Sequence, residues 1–377
     1  MKIVIIGAGV VGSALACRAA TAGLAVTVVE ASVPGHGTSA GSFAWLNAHD
    51  KQPRAYHDLT VRALAEHRAL GEELGDAGWS HSGGAIEWVA GAAAITAQQD
   101  RVARLQAWGV IVEWLDTWQL RELEPDIAPE AVGDAPVAFY PGDGWVDPAV
   151  FVHANLRHAT RHGAVLRRGT AAARLLHEAG RVRGVELAGG ERIEADLTIA
   201  CTGALVNTLI PAPLHLPLTP KRGLTAVTQP VPTGVRRVVK AAQCYLRPDG
   251  AGRLLLHGKA ADQALTDTTV PAADLPAVDD LLDRAATVVP DMRGAAAEAV
   301  RIVTRPFPAD GFPAVGPVGG LDGLYTAVMH SGVVLAPLMA RLIVTDITSA
   351  TGCADLARYR PDRFRTGPDR PAFSARR

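Results

Sequence analysis

The first thirty residues, MKIVIIGAGVVGSALACRAATAGLAVTVVE (residues 1–30), decide the fold of this chain. Residues 2–6 form a short apolar run of the kind that is buried on both faces of a parallel sheet, and residues 25–29 form a second such run. Between them, residues 10–22 are small and apolar, and Gly23 ends the predicted helix. The stretch therefore predicts a βαβ unit and an α/β protein.

The turn between the first strand and the helix carries a G-x-G-x-x-G pattern made of Gly7, Gly9 and Gly12. Gly7 allows the tight turn, Gly9 lets a pyrophosphate approach the backbone, and Gly12 lets helix and strand pack closely. Glu30, 18 positions beyond the last glycine, ends the second strand and can accept hydrogen bonds from ribose hydroxyls. The pattern predicts a Rossmann-like dinucleotide site, and by itself it leaves both FAD and NAD open.

Composition excludes several classes of protein. The 377 residues are 48% hydrophobic and 20% charged, which argues against extended disorder, and 37 Lys and Arg balance 38 Asp and Glu, which argues against a nucleic-acid partner. We expect no membrane span, because charges, glycines or prolines interrupt every long apolar stretch. Four scattered cysteines without a C-x-x-C pair favour a reducing, cytoplasmic location over a disulfide scaffold or zinc ribbon. The histidine spacing predicts no metal site.

Four segments together resemble the D-amino acid oxidase family of flavin enzymes, which includes glycine oxidase, sarcosine oxidase and dehydrogenases of D-amino acids. They are the N-terminal unit, residues 38–48 (TSAGSFAWLNA), residues 196–203 (DLTIACTG) and residues 304–337 (TRPFPADGFPAVGPVGGLDGLYTAVMHSGVVLAP). The resemblance spans nearly the whole chain. It implies a discontinuous, Rossmann-like FAD-binding domain and a substrate domain built from an antiparallel sheet with helices.

The resemblance also implies domain boundaries. We expect the FAD-binding domain to comprise residues 1–85, 145–214 and 307–365, the substrate domain to comprise residues 86–144 and 215–306, and residues 366–377 to form a flexible tail. Within the first domain, the runs at 164–168, 171–177, 182–187 and 192–194 predict a β-meander. In the second domain, residues 238–246 predict one antiparallel strand.

The family likeness assigns three groups of residues to the flavin. The groups lie in the dinucleotide turn with the end of the second strand, in the loop after that strand, and in the turns at the ends of later strands. The predicted cofactor-binding residues are Gly7, Gly9, Val10, Val11, Gly12, Glu30, Ala31, Thr38, Ser39, Ala40, Gly41, Thr202, Gly203, His330, Ser331, Gly332 and Val333. Residues 331–349 predict a helix whose N-terminus would stabilise negative charge on the reduced flavin.

Two residues are predicted to act on the substrate. Arg305 lies where glycine oxidase has an arginine that binds the substrate carboxylate, and its planar guanidinium suits that group, although an arginine before a proline can also serve only to hold a turn. His330 is the second catalytic candidate, with a hydrogen-bonded histidine at a strand end as the alternative. Trp45, Tyr245 and His257 are candidates to line the substrate pocket, or else to pack.

We expect FAD to be bound non-covalently, because residues 304–332 contain no cysteine to which it could be attached. The predicted reaction is oxidation of the C–N bond of an amine or amino acid by hydride transfer, with oxygen or another electron acceptor. Lys259 does not align with the lysine that assists oxygen in some relatives, so oxidase and dehydrogenase both stay open. The alternatives are an NAD-dependent dehydrogenase and a flavin-binding subunit of a larger complex; a homo-oligomer is also possible.

Overall fold

The computed structural model describes residues 1–75, 78–265 and 275–365. The tail predicted to be flexible, residues 366–377, lies outside these described residues. Within them the chain forms four sheets, which are covered and joined by helices.

The helices alternate with strands through most of the described chain. They are α1 (Val10–Thr21), α2 (Arg54–Leu74), α3 (Ala92–Ala107), α4 (Thr117–Leu123), α5 (Pro129–Val132), α6 (Pro148–Arg161), α7 (Lys259–Gln263), α8 (Pro276–Val288) and α9 (Gly332–Thr348).

The strands in chain order are β1 (Lys2–Ile6), β2 (Ala25–Glu30), β3 (Trp45–Leu46), β4 (Ser80–Ser82), β5 (Ala85–Glu87), β6 (Glu113–Leu115), β7 (Val137–Tyr140), β8 (Gly144–Val146), β9 (Val165–Arg168), β10 (Ala172–Glu178), β11 (Arg181–Leu187), β12 (Arg192–Glu194), β13 (Leu197–Ala200), β14 (Lys221–Thr228), β15 (Val238–Lys240), β16 (Tyr245–Pro248), β17 (Leu254–His257), β18 (Ala297–Arg305), β19 (Ala314–Pro317) and β20 (Leu324–Val328).

A six-stranded sheet with the order β19-β20-β13-β1-β2-β9 contains the N-terminal βαβ unit. All of its pairs are parallel except β19 with β20. Ile3 and Ile5 on the central strand β1 are almost completely buried in a core shared with α1, α6 and α9, and Val4 and Ile6 are buried in a smaller apolar cluster on the other face. The predicted parallel sheet is confirmed, and its strands end beside the glycine turn.

A second sheet has eight strands in the order β18-β14-β17-β16-β15-β5-β7-β6. It is antiparallel apart from the β15–β5 pair. Helix α8 packs on it through Val278, Leu281 and Ala285, which recur at helical spacing and are fully buried. Its edge strand β18 runs beside β14 and ends with Arg305 opposite Lys221. The predicted α/β class with a second, antiparallel sheet is confirmed.

Two local sequence predictions are wrong. The run at 164–168 was assigned to the meander, but β9 pairs in parallel with β2, because it returns to the sheet after α6 as a crossover strand does; β10, β11 and β12 alone form the meander. The run at 238–246 is a hairpin of β15 and β16 rather than one strand, and it turns where the Ala241 N–H bonds the Cys244 carbonyl at 2.9 Å.

We propose the same two-domain division as the sequence predicts, because each of the two large sheets takes most of its strands from one of the expected domains. The six-stranded sheet draws its strands from 1–85, 145–214 and 307–365, and the eight-stranded sheet draws most of its strands from 86–144 and 215–306. Strand β5 crosses the first expected boundary and β8 crosses the second. Strand β8 joins β3 and β4 in a small third sheet. Its Val146 lies in the core of the six-stranded sheet, and its Trp145 packs with Ala85 and Val238 of the eight-stranded sheet.

Candidate active site

The dinucleotide turn is built so that two positions accept only glycine and a third, Gly9, lies close to a side chain. Gly7 has a φ of +99°, and a Cβ there would lie 2.7 Å from the Cys201 carbonyl oxygen. A Cβ on Gly12 would lie 1.9 Å from the Gly7 carbonyl oxygen, and one on Gly9 would lie 2.9 Å from the Ser39 hydroxyl. The turn therefore leaves a backbone-lined cradle at the start of α1, into which a side chain would intrude.

The N-terminus of α1 faces this cradle and is suited to a phosphate. Helix α1 starts at Val10 after Gly9, which caps it with no side chain, and its first turn contains no acidic residue. The Ser39 hydroxyl accepts a hydrogen bond from the Val10 N–H at 3.1 Å, which brings the loop after β2 over the helix end. Val11 and Gly12 follow in the first turn, where N–H groups have no partner within the helix.

Glu30 is fixed against the cradle from the end of β2. One of its carboxylate oxygens accepts a hydrogen bond from the Ala8 N–H at 2.8 Å, and the other accepts one from the Ser32 N–H at 2.9 Å. The adjacent Ala31 is exposed. Each of the two oxygens keeps a lone pair and can accept a further hydrogen bond. The ribose hydroxyls of a dinucleotide would be suitable donors.

The second predicted turn closes the cradle beside β13. Gly203 has a φ of +56°, and Cys201 is buried against Gly7. The Thr202 hydroxyl is buried and makes no hydrogen bond within the described protein. Because a buried hydroxyl without a partner costs free energy, this atom fits a bound polar ligand at the turn. The glycine turn, the open helix end and this hydroxyl together fit a dinucleotide such as FAD.

The loop at residues 38–41 connects the cradle to the eight-stranded sheet. The Thr38 hydroxyl donates to the Thr304 carbonyl at 2.7 Å, and a Cβ on Gly41 would collide with the Val303 side chain at 2.4 Å. Ala40 between them is half-buried. The loop thus packs against β18, and the segment predicted to lie along the flavin runs from one sheet to the other.

A cavity of about 200 Å³ opens where these elements meet. Its lining comes from the loop after β2, from β14, β17 and β18, and from the start of α9. The lining residues are Thr38, Gly41, Ser42, Phe43, Ala44, Trp45, Asn47, Lys51, Gly223, Leu224, Thr225, His257, Arg305, His330, Ser331, Val333 and Val334.

The cavity brings together most of the residues predicted for the flavin ring and the substrate. Arg305, His330 and Trp45 line it, as does His257. Tyr245 does not line it but packs behind it, with its ring centroid 5.5 Å from that of His257. Their roles toward a ligand stay predictions.

Arg305 is held at the cavity by its own partners. Its Nη2 donates to an Asp262 carboxylate oxygen at 2.6 Å and to the Arg222 carbonyl at 2.9 Å. Its Nε is buried without a partner in the described chain, and a Cβ on Gly223 would lie 3.0 Å from the guanidinium. Asp262 thus orients the group, while Gly223 gives it room.

The electrostatics around His330 are positive. Its ring stacks on Phe307 with 3.7 Å between centroids, and Lys221 Nζ lies 4.8 Å from the Phe307 ring. Burial of the ring by the surrounding protein, together with the charges of Lys51, Arg305 and Lys221, lowers the pKa of His330 well below its usual range, although the residue as a whole is exposed. His330 is therefore neutral at physiological pH and offers hydrogen bonds rather than charge.

Lys51 is a cavity residue that sequence reasoning missed. Its Nζ donates to the Ser331 hydroxyl at 2.8 Å, and burial lowers its pKa, although Asp50 opposes the shift. It follows the predicted loop, where a lone lysine carries no pattern. Asp262, the partner of Arg305, was also missed because the two are 43 residues apart.

His257 presents a defined tautomer to the cavity. Its Nδ1 lies 3.0 Å from the Leu224 carbonyl, which can only accept, so Nδ1 carries the hydrogen and Nε2 is the acceptor. Burial lowers the pKa of His257, although the negative charge of Asp262 and the hydrogen bond to Leu224 oppose the shift. An imidazole whose Nε2 is an acceptor therefore stands beside Arg305 in the cavity lining.

Other kinds of site are not found in the described residues. No group of three or more His, Cys, Asp or Glu side chains there is arranged to hold a metal ion. None of the helices in the same part of the chain has the length and apolar character needed to cross a bilayer.

Relatives with known names share the sequence along most of its length. Glycine oxidase of Geobacillus kaustophilus is 29% identical over 370 residues, which cover 95% of this chain and 95% of that protein. D-amino acid dehydrogenase of Methylobacterium nodulans is 31% identical over 261 residues, covering 65% of this chain and 58% of that protein.

Solved structures share the fold. The crystal structure of glycine oxidase from Geobacillus kaustophilus matches with a TM-score of 0.82 at 26% identity, covering 96% of this chain and 99% of that chain. L-proline dehydrogenase from P. horikoshii matches with a TM-score of 0.81 at 20% identity, covering 97% of each chain, which supports the fold alone.

The family model of FAD-dependent oxidoreductases named DAO matches residues 2–345. This match decides between the two nucleotides that the glycine pattern left open, in favour of FAD. The chain is an enzyme of the DAO family of FAD-dependent oxidoreductases.

Proposed function

We propose that this enzyme oxidises the C–N bond of a small amino acid to an imine, with FAD held non-covalently across the cradle and the cavity. The relatives named glycine oxidase and D-amino acid dehydrogenase support amino-acid chemistry. Non-covalent binding is supported by the cysteines, because the cavity lining contains none. The four free thiols also fit the reducing, cytoplasmic location that we propose.

The observation that carries the proposal is the charge of the cavity. Lys51 and Arg305 line it, and no Asp or Glu side chain appears among the described lining residues. A cavity of this kind favours an anionic ligand, and a guanidinium is a strong donor to a carboxylate. Asp262 and the Arg222 carbonyl use Nη2, and Nε is buried, so Nη1 is the part of the Arg305 guanidinium that can meet a substrate.

The positive charge of the cavity also favours the neutral form of the substrate amino group. An amino acid in water carries an ammonium group, and hydride can leave its α-carbon only when the nitrogen lone pair is free to form the C=N bond. Lys51 and Arg305 disfavour a further positive charge nearby and so lower the pKa of the bound amine. The Nε2 acceptor of His257 can then hold the neutral amine by one of its N–H groups.

FAD, when bound, supplies the chemistry by accepting the hydride. The protein contributes position and charge: Arg305 fixes the carboxylate, His257 orients the amine, and Trp45 and Phe43 close the cavity wall. The start of α9 at Ser331 and Gly332 would lie at the pyrimidine edge of the flavin, where a helix N-terminus favours negative charge. No side chain is required to remove the α-hydrogen as a proton.

The proposal is tested by anaerobic spectra of the purified enzyme with matched pairs of ligands. Glycine, D-alanine and L-proline are compared with methylamine, ethylamine and pyrrolidine, which are the same amines without the carboxylate. We expect at least one amino acid to bleach the flavin absorption and its decarboxylated partner to do so far more slowly. Equal bleaching by both members of each pair, or bleaching by none of the ligands, would overturn the proposal. Readmitting air then shows whether oxygen is the acceptor.

A further inference from the structure

Helix α9 has a defect in its first turns. In an α-helix each carbonyl accepts a hydrogen bond from the N–H four residues later, and the carbonyl of Val333 would accept from residue 337. That residue is Pro337, which has no N–H, and it lies inside the helix. The Val333 carbonyl therefore lacks its helical donor at a half-buried position beside the cavity.

A histidine from another helix supplies the missing donor. His67 on α2 places its Nε2 2.9 Å from the Val333 carbonyl oxygen, and its side chain is 1% exposed. A carbonyl can only accept, so Nε2 carries the hydrogen. The other ring nitrogen, Nδ1, is buried with no partner in the described chain, as expected of the unprotonated nitrogen of a neutral ring.

The position of this bond links it to the flavin end of the enzyme. Val333 is the second residue of α9 and follows Ser331 and Gly332, and both Ser331 and Val333 line the cavity. The ring of His67 is braced from behind by Phe151 on α6, with 5.6 Å between centroids. A donor that is held rigidly in this way fixes the first turn of α9, which proline alone would leave free to open.

We propose that His67 is a positioning residue, which replaces the N–H missing at Pro337 and thereby holds Ser331 to Val333 in place along the flavin. The inference rests on the proposed position of the flavin ring. His67 does not line the cavity, so it acts through the backbone of α9 and not on the substrate.

The test uses the missing donor itself. His67→Leu removes the hydrogen bond and keeps an apolar side chain, whereas His67→Gln keeps an N–H at a similar distance from the backbone. Pro337→Ala restores the N–H of residue 337. The double variant His67→Leu with Pro337→Ala tests whether that N–H can replace the hydrogen bond from the histidine. FAD affinity of the apoprotein, the flavin midpoint potential and the urea midpoint of the apoprotein are measured for each.

We expect His67→Leu to weaken FAD binding about tenfold and to shift the flavin potential, as the loss of one buried hydrogen bond predicts. His67→Gln should stay within about threefold of the wild type, and Pro337→Ala should restore most of the affinity, the potential and the urea midpoint to the leucine variant. A double variant as weak as His67→Leu, or a leucine variant equal to the wild type, would overturn the inference.

The measurements separate this inference from the proposed function. A wild-type chain that binds FAD but oxidises no amine would refute the proposed function while the affinity cycle still decides the role of His67. Recovery of the urea midpoint without recovery of FAD affinity would show that the bond only stabilises the fold, and would overturn the positioning role.

Discussion

The cradle at the start of α1 and the cavity beside β18 are built on different principles. The cradle is made mostly of backbone. Gly7 and Gly12, where a Cβ would meet backbone, and the open end of α1 come from the first dozen residues, and the turn at Cys201 to Gly203 closes it. The cavity is made of side chains that five or more separate segments bring together. We therefore expect nucleotide binding to depend on the small size of the glycines, and substrate selection to depend on where the charged side chains lie.

The sharpest way to break the cradle is to add one methyl group. Gly12→Ala places a Cβ 1.9 Å from the Gly7 carbonyl oxygen, so the helix and the strand must separate. We expect FAD affinity to fall about 1,000-fold or beyond detection, since the pyrophosphate contacts depend on that packing. Equilibrium binding of FAD to apoprotein checks this, with circular dichroism to confirm folding. Gly189→Ala is the matched control, because a Cβ there meets nothing within 4 Å; equal affinity in the two variants would refute the account.

A substitution in the cavity should impair the oxidation of one class of substrate more than that of another. Arg305→Ala removes the predicted carboxylate partner, and we expect KM for an amino-acid substrate to rise about 100-fold, the usual scale for a lost charged hydrogen-bond pair. Oxidation of the decarboxylated amine should change little. Steady-state kinetics measure both. Arg301→Ala, an exposed arginine four residues earlier on β18, should leave both values unchanged. A similar loss for amine and amino acid would assign Arg305 to structure alone.

Lys51 provides a pH test of the cavity charge. Burial lowers the pKa of Lys51 below 10.5, so its charge is lost at a lower pH than that of an exposed lysine. We expect Lys51→Met to weaken binding of a simple carboxylate such as acetate about tenfold. Wild-type affinity should fall as pH rises from 7 to 10, and the variant should be flat. Perturbation of the flavin spectrum reports binding. Lys259→Met is the control, and a parallel pH slope in the Lys51 variant would contradict the assignment.

The smallest effect concerns the support of α9. Burial lowers the pKa of His67 to about 4, from the ordinary histidine value of 6.5. Because the unfolded chain binds a proton below pH 6.5 that the folded chain does not, stability is lost as pH falls through this window. We expect the wild type to lose about 1 kcal/mol more than His67→Gln between pH 7 and 5.5. Urea unfolding at both pH values measures it. Equal losses would show that His67 titrates normally.

The same contrast explains what the sequence could predict. Gly7, Gly9 and Gly12 form a local sequence pattern, and the apolar runs on either side of them define strands. The βαβ unit of the parallel sheet and the glycine turn of the cradle can therefore be predicted from thirty residues. The loop at residues 38–41 and the start of α9 were assigned to the flavin by the resemblance to the family. Both line the same cavity.

The remaining features depend on tertiary contacts that no local pattern encodes. Lys51 joins Ser331 across 280 residues, and Asp262 joins Arg305 only because α7 packs against β14. The strand at 164–168 was misplaced because a short apolar run fits both a meander and a parallel edge. Its partner is decided by the helix before it.

A crystal structure with FAD and a bound carboxylate would show whether the flavin lies where the cradle and the cavity meet. We expect the pyrophosphate at the N-terminus of α1, the isoalloxazine ring beside Ser331 and Val333, and the carboxylate on Arg305. A ring outside the cavity, or a carboxylate bound away from Arg305, would contradict this expectation.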